Sequence, residues 1–337
     1  MLTIKLMFHS QPGSGHWRPY PENQGTALQR DREPQSRAAS DHLRSRMTRR
    51  QALGLFTLPF AGMGFSTAEA RPLRIVCLDD GLTETLLMLG VSPVAIADRE
   101  VWEKWVVEPR LPPDIADVGT LLEPNLEFLQ QLRPDIILSM PYLDGIKPLL
   151  ERVAPVTTIG LYTEAGQPYQ RAVEATRQLA GLVGKESEGE ALIAAADAYF
   201  TEIRQQLAPL SARPIYVVGF LDPRNVRVYG AKSLFQEVFD RIGLSNAWTA
   251  ETNYWGFSTV GIDGLATSSD ARLAYLEPLP EGAGGTLTES PVWNAMPFVR
   301  NHSIMRLPAV LMFGALPSAR RFARVLASAM TAEAARG

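Results

Sequence analysis

The stretch Ser187–Leu207, SEGEALIAAADAYFTEIRQQL, divides the chain into two similar halves, and its reading decides the fold. Leu192, Ala195, Tyr199, Ile203 and Leu207 recur at spacings of three and four, the period of one apolar face on an α-helix, with Ala191, Ala196 and Phe200 alongside. Ser187 and Glu190 predict a capping box at the start, and Pro209 predicts the end. A helix of that length spans about 30 Å, enough to cross two adjoining domains, although the same stripe would serve a helix packed inside one domain. The flanking patterns favour the crossing, because β-then-α runs stand on both sides of it.

Upstream, Leu73–Leu78 suits a short buried strand, Thr83–Leu89 a helix stopped by Gly90, and Val94–Ala97 a second strand. Trp102 and Trp105 follow, three apart, placed either in the core or at a binding face. Asp117-Val118-Gly119, Glu123–Leu129 and Leu132–Leu138 predict a strand, a glycine turn, a helix opened by Pro124 and a Pro-Asp turn into another strand. Downstream, Pro214–Phe220 repeats the opening strand, Val226–Tyr229 pairs back on it, and Ser233 caps a helix that Gly243 stops. Asp263, Leu265, Asp270 and Leu273 echo Glu127, Leu129, Asp135 and Leu138 with one residue deleted, a weak repeat that predicts two lobes of the same topology. Ser318–Met330 predicts a terminal helix. The fold expected is therefore α/β, with an N-terminal lobe over 71–185, a linking helix over 186–208 and a C-terminal lobe over 209–335. Each lobe is expected to be a mostly parallel sheet flanked by helices, with little hinging between lobes tethered by a single helix.

Charge and composition narrow the function. Residues 1–70 hold nine of the 33 Lys and Arg and five of the 36 Asp and Glu, leaving 24 against 31 and a net charge of −7 downstream. That acidic balance argues against nucleic acid as a partner. Met1–Arg46 is polar and aperiodic, either disordered or upstream of a true start at Met47. Arg49-Arg50, the weakly apolar Leu53–Phe65 and Ala68-Glu69-Ala70 predict a twin-arginine export signal, with a general secretory signal as the competing reading; both lead to the periplasm. The apolar run is too short, and too interrupted by Pro59, Gly62 and Gly64, to span a membrane. Three of the four histidines lie in this leader, so His302 and Cys77 are all that remain for a Cys/His metal site or a hydrolase base. Cys77 itself reads as a buried strand residue. No phosphate-cradling glycine loop and no Gly-x-Ser-x-Gly elbow is present. A binding protein is therefore expected rather than an enzyme, monomeric and without a cofactor or resident metal.

The Gly119 turn, Glu123-Pro124-Asn125-Leu126-Glu127 and Arg133-Pro134-Asp135 leading into an apolar strand resemble the periplasmic solute-binding proteins of ABC importers for iron-siderophores, haem and cobalamin. Ser233–Glu237, Asn246–Trp248, Glu251–Gly256, Trp293–Arg300 and Pro308–Val310 resemble the ferric hydroxamate (ferrichrome) type within that family. The resemblance implies capture of a ferric siderophore, a hydroxamate in the first instance, and its delivery to an inner-membrane ABC permease and its ATPase. Haem or cobalamin is the alternative cargo. Such a chelate is compact and nearly neutral, with an apolar rim and partly charged oxygens, so aromatic faces and a few donors suffice to hold it. The family's pocket positions fall here on Trp105, Tyr142, Trp248, Asn253 and Trp255, and its permease-docking carboxylates on Glu127 and Asp263. The departures are as informative: the family's hydroxamate-binding arginine falls on Leu121, its first-turn tryptophan on Asp80, and two further pocket aromatics on Leu138 and Leu311. Arg99 and Arg227 are candidates to replace the missing guanidinium.

Overall fold

In the computed structural model, which describes residues 71–335, each half of the chain builds its own five-stranded sheet; the export-signal reading of 47–70 lies outside the described residues. The first sheet comprises β1 (Ile75–Cys77), β2 (Ala95–Ile96), β3 (Ala116–Asp117), β4 (Ile136–Ser139) and β5 (Val156–Thr158), ordered β3-β2-β1-β4-β5 and parallel throughout. Parallel strands are covered on both faces, which is why β1 and the residue after it read as an unbroken apolar run. Ile75 and Cys77 face one apolar cluster, and Val76 and Leu78 another.

The second sheet is mixed. Its strands β6 (Ile215–Phe220), β7 (Asn225–Tyr229), β8 (Phe257–Gly261), β9 (Arg272–Leu276) and β10 (Ile304–Leu307) are ordered β10-β9-β6-β7-β8. β6, β9 and β10 are parallel, while β7 pairs antiparallel with both β6 and β8. The α/β class and the two sheets agree with the sequence reading, but the expectation of identical lobe topology does not hold. The reason is local. Asp222 Oδ1 accepts the backbone N–H groups of Arg224 and Asn225 at 2.7 and 2.9 Å, which tightens a turn far too short for the crossover that a parallel neighbour needs.

In the chain, the helix Glu186–Leu207 joins the first sheet's half to the second and packs against helices Pro168–Val183, Leu234–Ile242 and Leu316–Ala334. Its buried face is Gly189, Leu192, Ile193, Ala196, Phe200, Ile203 and Leu207, so the apolar stripe is rotated from the one expected: Ala195 is exposed and Phe200, not Tyr199, is its buried aromatic. The predicted capping box does not form, because Arg177 holds Glu190 at 2.7 Å and Ser187 donates to Glu188 instead. Gly189 permits the close approach of helix Pro168–Val183, since a Cβ there would stand 2.6 Å from the Ala180 methyl.

The two halves are joined a second time, at the C-terminal end. After β10 the chain returns past the first lobe and enters helix Leu316–Ala334, whose N-terminus is received by a first-lobe carboxylate: buried Glu84 accepts the Ala315 N–H at 2.6 Å, the Ser318 N–H at 3.3 Å and the Ser318 hydroxyl at 2.7 Å. Arg321 on the same helix pairs with Glu108 at 2.9 Å. One apolar cluster therefore runs from Leu82 and Leu86 through Ala172, Phe200, Phe235 and Phe322 to Leu307 without interruption. A carboxylate capping a helix from another part of the chain has no local sequence signature, and the tether read as a single helix is reinforced by this strap.

Candidate ligand-binding site

The order β3-β2-β1-β4-β5 reverses between β1 and β4, and in open α/β sheets ligands bind beyond the carboxyl ends of the strands at such a reversal. A cavity of about 330 Å³ lies there. Its first-lobe wall is made of the residues that leave each strand: Asp79 and Asp80 after β1, Ala97 and Asp98 after β2, Leu121 after β3, Met140–Tyr142 after β4 and Leu161–Glu164 after β5. The opposite wall is Tyr254 and Trp255 with Leu311–Phe313 of the returning strap.

Three of the five ligand residues expected from the sequence meet at this cavity: Trp105, Tyr142 and Trp255. The ambiguity between Trp102 and Trp105 resolves cleanly. Both lie on one π-helical turn, Trp102–Val106, but Trp102 is fully buried and donates its indole N–H to the Pro109 carbonyl, while Trp105 faces the cavity. Trp255 is the hub of an aromatic wall, with ring centroids 4.7 Å from Tyr254, 4.9 Å from Phe313, 5.8 Å from Tyr162 and 6.0 Å from Tyr142. Gly256 makes this presentation possible: its φ is 84°, and a Cβ would sit 2.3 Å from the Ser233 backbone nitrogen. The Tyr142 side chain stands at the surface, and no described residue hydrogen-bonds its hydroxyl, which leaves it free to donate.

Trp248 and Asn253 are not brought to the cavity. Trp248 packs on the outer core of the second sheet against Gly230, where a Cβ would meet its ring at 2.7 Å. Asn253 spends its side-chain oxygen on the Phe257 N–H at 3.2 Å and its carbonyl on the Gly256 N–H at 2.9 Å, so it shapes the turn that carries Trp255. Neither Arg99 nor Arg227 lines the cavity. The Arg99 guanidinium donates to the Ile115 carbonyl, and Arg227 lies buried beneath Met312, over the Phe257 ring at 4.9 Å. Leu121 and Leu311 do line it; Leu138 is inside the core.

Three aromatic contributors escaped the sequence reading. Tyr162 follows β5 and reaches the Gly314 carbonyl at 3.0 Å, so its ring faces the cavity while its hydroxyl ties the strap. Tyr254 stood in a recognised motif yet unassigned, and Phe313 belongs to the strap. The sequence signal available was an aromatic just past a predicted strand end, as at Tyr162.

The floor is acidic. Burial pushes Asp79 up to about 6 and Glu84 up to about 7, and raises Asp80 well above the usual carboxylate range, with Asp79 and Asp98 repelling its charge further. These groups bind protons more tightly folded than unfolded, so their ionisation opposes folding as pH rises from about 4 to above 7. The ligand-free protein is accordingly expected to be more stable at pH 5 than at pH 8, by about 2 kcal/mol or more and hence by several degrees in Tm. Scanning calorimetry at the two pH values checks this, and a midpoint rising toward pH 8 would contradict it.

The periplasmic binding protein family model matches residues 75–311. The chain is 34% identical over 291 residues to the iron(3+)-hydroxamate-binding protein FhuD of Escherichia coli, covering 86% of this chain and 98% of that protein. It is 25% identical to the Fe(3+)-citrate-binding protein YfmC of Bacillus subtilis, covering 72% and 75%. Among solved structures it resembles the siderophore-binding protein FhuD of Vibrio cholerae bound to Fe3+–Desferal, with a TM-score of 0.74, 29% identity and coverage of 78% of this chain and 99% of that one.

Proposed function

The chain belongs to the periplasmic binding protein family, whose members bind substrates for transport and are not enzymes, and from that premise we propose that its cleft captures a ferric hydroxamate siderophore and presents it to an inner-membrane ABC permease. One observation carries the reading: a cavity of about 330 Å³ at the sheet's reversal point, walled by Trp105, Tyr142 and Trp255 and joined by Tyr254 and Phe313. Flat aromatic faces suit the apolar rim of a neutral chelate, and the Tyr142 hydroxyl suits a hydroxamate oxygen. The lobes are taken as 71–185 and 209–335 around the helix 186–208, and the mature protein as periplasmic, exported on a twin-arginine signal beginning near Met47 and acting as a monomer. No described helix is long and apolar enough to cross a membrane.

Tryptophan emission tests the reading, because an iron chelate seated between Trp105 and Trp255 quenches both. Titration with ferric hydroxamates, catecholates, citrate, haem and cobalamin should give saturable one-to-one quenching by hydroxamates with the chelate recovered unchanged. Quenching by haem or cobalamin alone would transfer the assignment to those ligands.

Leu121 offers a second handle. Its backbone N–H donates to Asp98 Oδ2 at 2.8 Å and its side chain lines the cavity. Leu121→Arg would add charge-assisted donors facing the chelate, and is expected to tighten ferrichrome-type complexes by about tenfold. Isothermal titration of both proteins checks this; unaltered or weaker binding would mean that another donor already serves.

A further inference from the structure

We infer that the cleft prefers ferric hydroxamates that carry a positive charge, such as a protonated primary amine on the chelator's tail; this rests on the hydroxamate reading above. Four carboxylates line the cavity, Asp79, Asp80 and Asp98 on the floor and Glu164 at the rim, and no Lys or Arg lines it among the described residues. The floor carboxylates differ in one respect. Asp79 Oδ1 accepts the Leu82 N–H at 2.8 Å and Asp98 Oδ2 accepts the Leu121 N–H at 2.8 Å, while Glu84 beneath them is satisfied by the start of the C-terminal helix. The Asp80 carboxylate, half-buried at the first position of helix Asp80–Met88, receives no hydrogen bond from any described residue.

The basic groups nearby are turned to other partners. Lys232 lies 4.0 Å from Glu164, Lys104 sits 5.3 Å above the Trp105 ring, Arg99 is bound to the Ile115 carbonyl, and Arg227 is under Met312. Leu121, Leu311 and the Trp105 ring line the same cavity, so a charge on its floor is less screened than one on the open surface. A ligand cation at Asp80 would favour ionisation of a carboxyl that burial and its neighbours hold toward the protonated form, and would gain a charge-assisted hydrogen bond to it. The iron centre of a trihydroxamate is itself neutral, its three anionic groups balancing the ferric ion. The charge of the complex is therefore set by the tail, where Asp80 can read it. Anionic complexes such as ferric catecholates would meet carboxyls and no basic side chain on the same floor.

Three ferric complexes of one linear trihydroxamate, with its terminal amine free, acetylated or succinylated, present the same iron centre as a cation, a neutral species and an anion. Their dissociation constants, from tryptophan quenching, should rank in that order, with the free amine bound about tenfold or more tighter than the acetylated form. Asp80→Asn keeps the side-chain volume without the charge, and should bring that ratio to within about twofold of unity. Asp98→Asn, which still accepts the Leu121 N–H, should lower the ratio less. The ratio for the unaltered protein should also shrink as salt is raised. Each ratio comes from one protein sample, so loss of folded protein lowers the stoichiometry and leaves the ratio intact. Equal affinity for the free and acetylated forms, or a ratio insensitive to both salt and Asp80→Asn, overturns the charge preference while hydroxamate capture stands. Failure of all three complexes to bind overturns the hydroxamate reading, and the charge preference with it.

Discussion

Trp255→Ala is expected to weaken ferric hydroxamate binding by about ten- to a hundredfold, as truncation of an aromatic anchor at the centre of an interface commonly does. The ring meets Tyr142, Tyr162, Tyr254 and Phe313 within 6.0 Å, so its removal takes away a contact face and also the support that aligns its neighbours. The first lobe supplies Tyr142 and Tyr162 and the strap supplies Phe313, which makes Trp255 the residue where both walls of the cleft converge. Trp248→Ala provides the contrast. Its indole packs on the outer core of the second sheet, so the change should lower stability and leave affinity within about threefold. Calorimetric titration of both variants, with the bound stoichiometry as the measure of folded protein, separates the two cases. Affinity lost at Trp248 and retained at Trp255 would place the ligand against the second lobe and away from this cavity.

Loss of transport with binding intact is the second large effect expected, in the double variant Glu127→Ala with Asp263→Ala. We propose these two carboxylates as the marks by which a permease reads each lobe. Both are exposed, Glu127 in the first turn of helix Leu126–Leu132 and Asp263 in the 3-10 turn Ile262–Leu265. A carboxylate at the start of a helix is favoured by the unpaired N–H groups there, so its presence alone has a local explanation. Rim charges act mainly on encounter and register, which predicts undiminished siderophore affinity in solution alongside uptake reduced by about tenfold or more. Uptake of radioactive iron by cells carrying the double variant, compared with titration of the purified protein, measures the two quantities separately. Normal uptake would return both carboxylates to their turns.

What could be read in the sequence was whatever is local in the chain. The strands, the caps at Ser233 and Gly243, the linking helix and the return of β7 on β6 are all written in neighbouring residues and appear in the structure as expected. The helix register was harder. An alanine-rich surface offers two overlapping apolar stripes, and the close fit of Gly189 against Ala180 selects the one through Ala196 and Phe200. The strap was hidden because its cap, Glu84, lies 231 residues from Ala315 in the chain, and nothing near either residue announces the pairing. The candidate site divided along the same line. Trp105, Tyr142 and Trp255 were expected from the family resemblance, and all three line the cavity. Asn253 and Trp248 stand in equally distinctive motifs, yet hydrogen bonding within the turn claims one and sheet packing the other. The acidic floor was present in the sequence as single residues, and only the convergence of the β1 and β2 strand ends places Asp79, Asp80 and Asp98 side by side.

The central claim is that iron is held at the carboxyl ends of the first sheet, between Trp105, Tyr142 and Trp255. A crystal structure of the protein with a ferric trihydroxamate, with anomalous scattering collected at the iron edge, tests it most directly. The account predicts one iron peak inside this cavity, the Tyr142 hydroxyl within hydrogen-bonding distance of a hydroxamate oxygen, and lobes turned by less than about 20° from the ligand-free form, because the linking helix and the strap share one core. An iron peak outside the cavity, or a cavity filled only by solvent at saturating ligand, would contradict it.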